Sequence, residues 1–452
     1  MSKPNVLDEL EWRGLVAHST DPDALRAAFD EGSVKFYVGF DPTAPSLHLG
    51  NLVQIVTAMR LQRAGHTPYL LVGGATGMIG DPRDSGERSL NSLDTVKEWV
   101  GNVRRQIEPF LDFTGANAAT MVNNYDWTAS LSTIDFLRDI GKHFPVNRML
   151  ARDVVKTRLE DGISYTEFSY ILLQSMDFLN LYNDHSVTLQ FGGSDQWGNL
   201  TGGVELIRRS VGGKAHAFAT PLITKSDGTK YGKTEGGALW LDPSMMSPYS
   251  FYQFWLNVED EKVGELLRIF TFLTQQEIKE IEELTAQKPF LRTGQKALAQ
   301  HVTALVHGSI ETARIQAASA ALFGGGDLTS LSAATLGAAL TEAGSIDISM
   351  DASHSVVDLL VEAGLSKSRG EARRTITEGG AYLNNERVSD PDQVLTAADL
   401  IDNRWARFAA GQEEFCRCSR GLSTTRSSRC AWQQTLESPR CNSCDCRHAA
   451  SI

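Results

Sequence analysis

The feature that most limits how this chain can fold is an alternation, from Val34 to about Thr224, of short β-rich runs with stretches of helical period. Strands separated by helix-length segments pair in parallel through crossovers, so the pattern predicts a parallel sheet covered by helices. FYVGF (36–40) reads as a strand and 49–64 as a helix, followed by a strand YLLVGG (69–74) and a helix over 94–112. Further on come an apolar helix over 165–182, a strand near VTLQF (187–191) and a helix from Asp195 to about Arg209. The predicted fold class is α/β with Rossmann-like topology.

A chain of 452 residues exceeds one ordinary core and implies two to three domains. Beyond Pro248 the period turns wholly helical, and FGGGDLTSLSAATLG then opens a Gly- and Ser-rich connection to a small compact pattern ending near Asp402. The expected division is a Rossmann-like domain over 1–225, a helical domain over 226–325, a flexible linker over 326–350, a small α+β domain over 351–404 and a disordered tail over 405–452.

Composition removes several classes of function. A net charge of −12 argues against wholesale coating of nucleic acid, which needs many cations to neutralise phosphate, but leaves room for a local basic site. No apolar run approaches the roughly 20 residues of a membrane helix. Asp8, Glu9 and Glu11 stand where an export signal would be apolar, so the cytoplasm is expected. Cys416, Cys418, Cys430, Cys441, Cys444 and Cys446 all fall near the end, leaving the first 415 residues without thiol chemistry. The run from Cys441 to His448 has the composition of a zinc cluster, but its spacing fits no closed four-ligand pattern. No metal site is predicted.

Two segments are suited to phosphate. Strand FYVGF runs into Asp41-Pro42-Thr43-Ala44-Pro45-Ser46-Leu47-His48-Leu49-Gly50-Asn51, a polar turn opening a helix, where free N–H groups and the helix dipole favour an anion. Residues 225–234, Lys-Ser-Asp-Gly-Thr-Lys-Tyr-Gly-Lys-Thr, form a glycine-punctuated loop whose Lys230 and Lys233 can neutralise charge building on a departing group. Either alone reads equally as a capped helix or a solvated basic loop. On the 165–182 helix, Tyr170, Gln174 and Asp177 share one face, a polar stripe that either meets water or lines an internal pocket.

Together these segments resemble the signatures of class I aminoacyl-tRNA synthetases, and Lys230-Tyr231-Gly232-Lys233-Thr234 is similar to the second signature as tyrosine-specific members carry it. The first signature departs at its fourth position, which is Asn51 instead of histidine. The resemblance implies that His48, Asn51, Lys230, Lys233, Thr234 and Arg88 serve catalysis, Arg88 as a better candidate than Arg83. It implies an ATP site of Gly39, Asp41, Thr43, His48, Gly50, Asn51, Gly193, Asp195 and Lys233, with Mg2+ accompanying the nucleotide.

For tyrosine, the resemblance implies Tyr170, Gln174 and Asp81 around the ammonium, Tyr37 and Asp177 on the phenol, and Asn124 and Gln196 nearby. A phenylalanine would leave Tyr37 and Asp177 desolvated and unpaired. Tyrosine-specific enzymes of this family reject phenylalanine on this ground by about 10⁵-fold, and the resemblance implies the same here.

For RNA, the resemblance implies contacts of tRNA(Tyr) with Arg152, Arg208 and Arg209, and with Lys367, Arg369, Arg373 and Arg374 in a small RNA-binding domain. It places a homodimer interface at about 126–150. The family's closing basic strand is expected to be missing after Asn403-Arg404-Trp405, and a change of reading frame near Trp405 would explain both that and the cysteine-rich tail. Two alternatives stay open: a tryptophan-specific sister enzyme, and an inert RNA-binding relative.

Overall fold

The computed structural model describes residues 5–82, 90–159, 162–231, 238–324, 328, 331, 333–342, 345–349, 353–410 and 414–420. They form two compact units, 1–344 and 345–452.

The first unit is built on a six-stranded sheet: β1 (His18–Ser19), β2 (Lys35–Phe40), β3 (Thr67–Val72), β4 (Thr120–Asn123), β5 (Leu189–Gly193) and β6 (His216–Thr220), in the order β1-β6-β5-β2-β3-β4. All neighbours are parallel except β1, which runs antiparallel along the edge of β6. The order reverses at β2, whose two neighbours are β3 and β5, and in an open parallel sheet a ligand crevice lies at the carboxyl ends beside such a switch.

The Leu49–Ala64 helix follows β2 and is buried on almost every side, which is why its apolar residues show no single stripe. His48 caps its N-terminus and Gly65, at φ 106°, ends it in the left-handed conformation that glycine adopts without a Cβ penalty. The Tyr165–His185 helix starts at Ser164, whose side chain accepts from the Glu167 N–H, and packs against the Trp197–Val211 helix. Gly202 and Gly203 allow that approach: a Cβ at Gly203 would stand 3.0 Å from the Phe178 ring.

Helices Pro248–Leu256, Asp260–Phe270, Gln275–Gln287, Thr293–His307 and Ser309–Gly324 make the helical part, as the period predicts. Its joint with the sheet layer is a polar lock. Buried Arg13 donates to the carbonyls of Arg268, Thr271 and Leu273, and buried Arg60 to those of Arg268, Ile269 and Thr271. Both guanidinium groups therefore satisfy carbonyls at the negative end of the Asp260–Phe270 helix.

The second unit corrects the expectation for the chain beyond 404. It holds a five-stranded sheet of β7 (Ser345–Ile348), β9 (Ala381–Leu383), β10 (Glu386–Arg387), β12 (Trp405–Ala410) and β13 (Glu414–Arg420), ordered β10-β9-β12-β13-β7, with a two-stranded β8 (His354–Ser355) and β11 (Val394–Leu395). Residues 405–410 are not tail but a central strand. β12 pairs with β9 and β13 on its two sides, and Ala406 and Phe408 are fully buried in the core with Leu359, Leu360 and Ala372. WARFAA is short, apolar and alternating only in part, so the cysteine- and serine-rich sequence after it hid its strand character. The expected linker likewise contains the Ala333–Glu342 helix and β7.

Candidate active site

A cavity of about 280 Å³ opens at the carboxyl ends of β2 and β5. Its lining brings together Tyr37, Gly39, Asp41, Thr43, His48, Gly50, Asn51, Asp81, Tyr170, Gln174, Asp177, Gly193, Asp195 and Gln196, residues that the sequence places in four separated segments. The polar stripe of the Tyr165–His185 helix thus faces an internal pocket.

The closed end is marked by two buried polar side chains, Tyr37 and Asp177. Tyr37 is buried with its hydroxyl lacking a protein partner, and its ring packs on Phe178. Burial, with the fields of Asp177 and Asp41, pushes the phenol well above its ordinary range, so it stays neutral. Asp177 is buried too, and burial raises its carboxyl to about 7 against hydrogen bonds that pull it down. Those bonds come from Asn124 Nδ2 to Oδ2 at 3.0 Å and Trp127 Nε1 to Oδ1 at 2.9 Å. Asn124 is itself fixed, accepting from Ala75 N–H at 2.7 Å and donating to Thr76 Oγ1 at 2.9 Å.

The middle of the cavity carries two carboxylates, Asp41 and Asp81, that accept hydrogen bonds from neighbouring side chains. Asp41 accepts from the Tyr170 hydroxyl at 2.5 Å and from Thr76 Oγ1 at 2.6 Å. Asp81 accepts from Gln196 Nε2 at 2.7 Å and Asn199 Nδ2 at 3.1 Å. Gln174 Oε1 is a buried acceptor without a protein donor, and Gln190 Oε1, also buried, is another. A site with carboxylates and open amide acceptors favours a cationic group entering from outside.

Elsewhere the cavity is lined by His48, Gly50 and Asn51 of the first signature segment. His48 Nδ1 accepts from the Gly50 N–H at 3.0 Å, which assigns the ring proton of the neutral imidazole to Nε2. Asn51 Oδ1 accepts from the His48 N–H at 3.0 Å, completing a capping box, so asparagine keeps the helix start intact at the departing position. Lys230 is exposed and lies 3.8 Å from Asp195 Oδ2. Lys233, Thr234, Arg83 and Arg88 lie outside the described residues.

The RNA candidates occupy varied settings. Arg152 is half-buried and donates to Asn199 Oδ1 at 2.6 Å, behind the Asp81 cluster. Arg208 is exposed beside Glu205, whereas Arg209 bridges Glu205 and the His143 carbonyl. In the second unit Arg369, Arg373 and Arg374 are exposed on the Arg369–Thr377 helix beside Asp358, Asp392 and Glu378, and Lys367 is exposed just before it. Sequence reasoning missed Trp127, Thr76, Gln190 and Asn199. Trp127 stands three residues after Asn124 in NNYDW, a spacing that gave a signal only once one of the pair was placed.

Comparison with known proteins agrees with this geometry. Residues 30–324 match the family model of class I tRNA synthetases (W and Y), and residues 338–417 that of the tyrosine-tRNA ligase SYY-like C-terminal domain. The chain is 57% identical over 412 residues to the tyrosine-tRNA ligase of Streptomyces coelicolor, covering 90% of this chain and 97% of the relative. The chain belongs to the tyrosyl-tRNA synthetases. The tyrosine-tRNA ligase of Mycobacterium bovis is 53% identical over 418 residues, covering 92% of this chain and 99% of that one. A C-terminally truncated mitochondrial tyrosyl-tRNA synthetase of Aspergillus nidulans superposes with a TM-score of 0.63 at 32% identity, over 71% of this chain and 95% of that structure. Synthetase-like sequence therefore reaches residue 417, past the point at Trp405 where the family pattern was expected to stop.

Proposed function

We infer that this enzyme activates L-tyrosine with ATP and transfers it to the 3′ end of tRNA(Tyr). The observation that carries the choice of amino acid is the buried pair at the closed end of the cavity, Tyr37 with an unpartnered hydroxyl and Asp177. A tyrosine phenol inserted there accepts from Tyr37 and donates to the Asp177 carboxylate. Its ammonium meets Asp81, Tyr170 and the open Gln174 Oε1, with Gln196 and Asn124 holding the carboxylates in place.

The tyrosine carboxylate then faces the outer end, where Gly39, Asp41, Thr43, His48, Gly50, Asn51, Gly193 and Asp195 accommodate ATP. A carboxylate oxygen attacks the α-phosphorus, the bond to the bridging oxygen breaks, and pyrophosphate leaves with its electron pair. The His48 Nε2–H and Lys230, with Lys233, Thr234 and Arg88 from sequence, stabilise charge on the departing phosphates. A ribose hydroxyl of the RNA terminus then attacks the acyl carbon and AMP leaves. No side chain forms a covalent intermediate; positioning and charge stabilisation supply the rate.

Mg2+ would accompany the nucleotide and would supply charge neutralisation on its phosphates. Dimerisation through residues 126–150 is supported by the exposed side chains of Ile134, Leu137 and Val146. RNA contact is assigned to Arg152, Arg208, Arg209, Lys367, Arg369, Arg373 and Arg374, and the division into a Rossmann-like part, a helical part and a small RNA-binding part follows the same reading. No helix among the described residues is long and apolar enough to cross a membrane, in keeping with a cytoplasmic enzyme.

ATP-pyrophosphate exchange with tyrosine, tryptophan and phenylalanine tests this reading. Exchange with tyrosine, lost in Asp177→Asn, is expected. Exchange driven by tryptophan alone would point to the sister specificity, and none at all to an inert relative.

A further inference from the structure

We propose that Trp240 is a positioning residue for His48, holding the imidazole at the angle from which it meets the nucleotide. The proposal rests on the reading that His48 acts on ATP.

His48 is exposed, so burial does not fix its ring. Two hydrogen bonds tie its backbone to a strap around Trp240: Leu49 N–H to Leu239 O at 3.0 Å and Leu241 N–H to Leu47 O at 2.9 Å. These flank an antiparallel bridge between His48 and Trp240, the non-hydrogen-bonded kind of pair in which opposed side chains stand closest. The indole meets the imidazole edge-on, with centroids 6.3 Å apart and planes at 61°. Gly50 N–H holds Nδ1 from one side, and Trp240 limits tilt from the other.

The strap is itself anchored. Gln106 Oε1 accepts from Leu47 N–H at 3.0 Å and Ser46 Oγ at 3.1 Å, and Asp242 N–H donates to Ser46 Oγ at 3.1 Å. Residues 239–242 lie four residues beyond the lysine-bearing segment in sequence, so one stretch of chain supplies the lysines and then the support of His48. Trp240 is absent from the cavity lining, whose closed end holds Tyr37 and Asp177, and its loss should spare amino-acid binding.

A double-mutant cycle on ATP-pyrophosphate exchange decides the matter. Trp240→Ala is expected to lower kcat about tenfold or more, the scale of a small misplacement of a reacting group, with the KM for tyrosine changed by less than about twofold. Trp240→Phe should recover most of the loss. In a His48→Ala background the same Trp240→Ala change should cost less than about twofold, because a residue acting through His48 has nothing left to position. An equal cost with and without His48, or no cost at all, overturns the proposal. If His48→Ala leaves exchange intact, the nucleotide reading of His48 fails instead, a distinguishable result. Should the alanine variant at 240 fail to fold, Trp240→Leu in the same cycle is judged by the same criterion.

Discussion

The indole nitrogen of Trp127 lies 2.9 Å from Asp177 Oδ1 and supplies one of the two donors that keep a buried carboxylate able to ionise. With burial raising that carboxyl to about 7, the free pocket takes up a proton as the pH falls through neutrality. In the proposed binding mode the ionised form accepts the tyrosine phenol, so kcat/KM for tyrosine in exchange should fall below about pH 7 by up to about tenfold per unit. Trp127→Phe removes a hydrogen bond that lowers this pKa. The inflection should move upward and kcat/KM for tyrosine at pH 7 should drop about 10- to 100-fold, the worth of a bond to a charged group. The stability linkage has the opposite sign. A folded pKa above the unfolded value of about 3.9 favours the fold at low pH, and that contribution is lost as pH rises through about 7.

Gly73 stands where no side chain fits. A Cβ there would lie 2.0 Å from Asp41 Oδ1 and 2.3 Å from Thr76 Oγ1, inside the hydrogen bond that joins them. Gly73→Ala should therefore displace Asp41 from Tyr170, cost about 1–3 kcal/mol in stability and reduce exchange, read by chemical denaturation and steady-state kinetics.

Arg13 joins the sheet layer to the helical part through three carbonyls. Arg13→Ala takes the Arg13 donor from Leu273 O and leaves the Arg268 and Thr271 carbonyls to Arg60 alone. A loss of about 2–4 kcal/mol in unfolding free energy is expected, with KM for tyrosine little changed at temperatures where the variant is folded.

Ending the chain after Arg404 would remove β12 and β13, the middle of the five-stranded sheet, together with buried Ala406 and Phe408. The second unit should then unfold. Ending it after Arg420 keeps every described strand of that sheet. Exchange is expected to persist in both truncations, while charging of RNA should collapse only in the shorter one, since the arginines of the Arg369–Thr377 helix, proposed above to contact RNA, depend on that fold.

Much of this was legible in sequence because local chemistry and global position agreed. The β2 strand and the helix after it were readable to within a residue, since Phe36 to Phe40 are continuously apolar and His48 and Gly65 punctuate the helix. Tyr170, Gln174 and Asp177 were legible as one face, yet whether that face met water or a pocket depended on what packs around it, which spacing does not encode. β4 was missed because TMVN is brief and only half-buried. Trp127 and Asn199 were missed because their partners lie 50 and 118 residues away. The ending was misread because composition after Ala410 outweighed a strand that tertiary pairing on both sides makes stable.

The most direct measurement is esterification of tRNA(Tyr) by the full chain, supplied in parallel with tyrosine, tryptophan or phenylalanine. Tyrosyl-tRNA(Tyr) is expected to form with ATP consumed to AMP and pyrophosphate, with phenylalanine and tryptophan inert at the same concentrations. Charging with tryptophan in preference to tyrosine, or RNA binding without any charging, would contradict it.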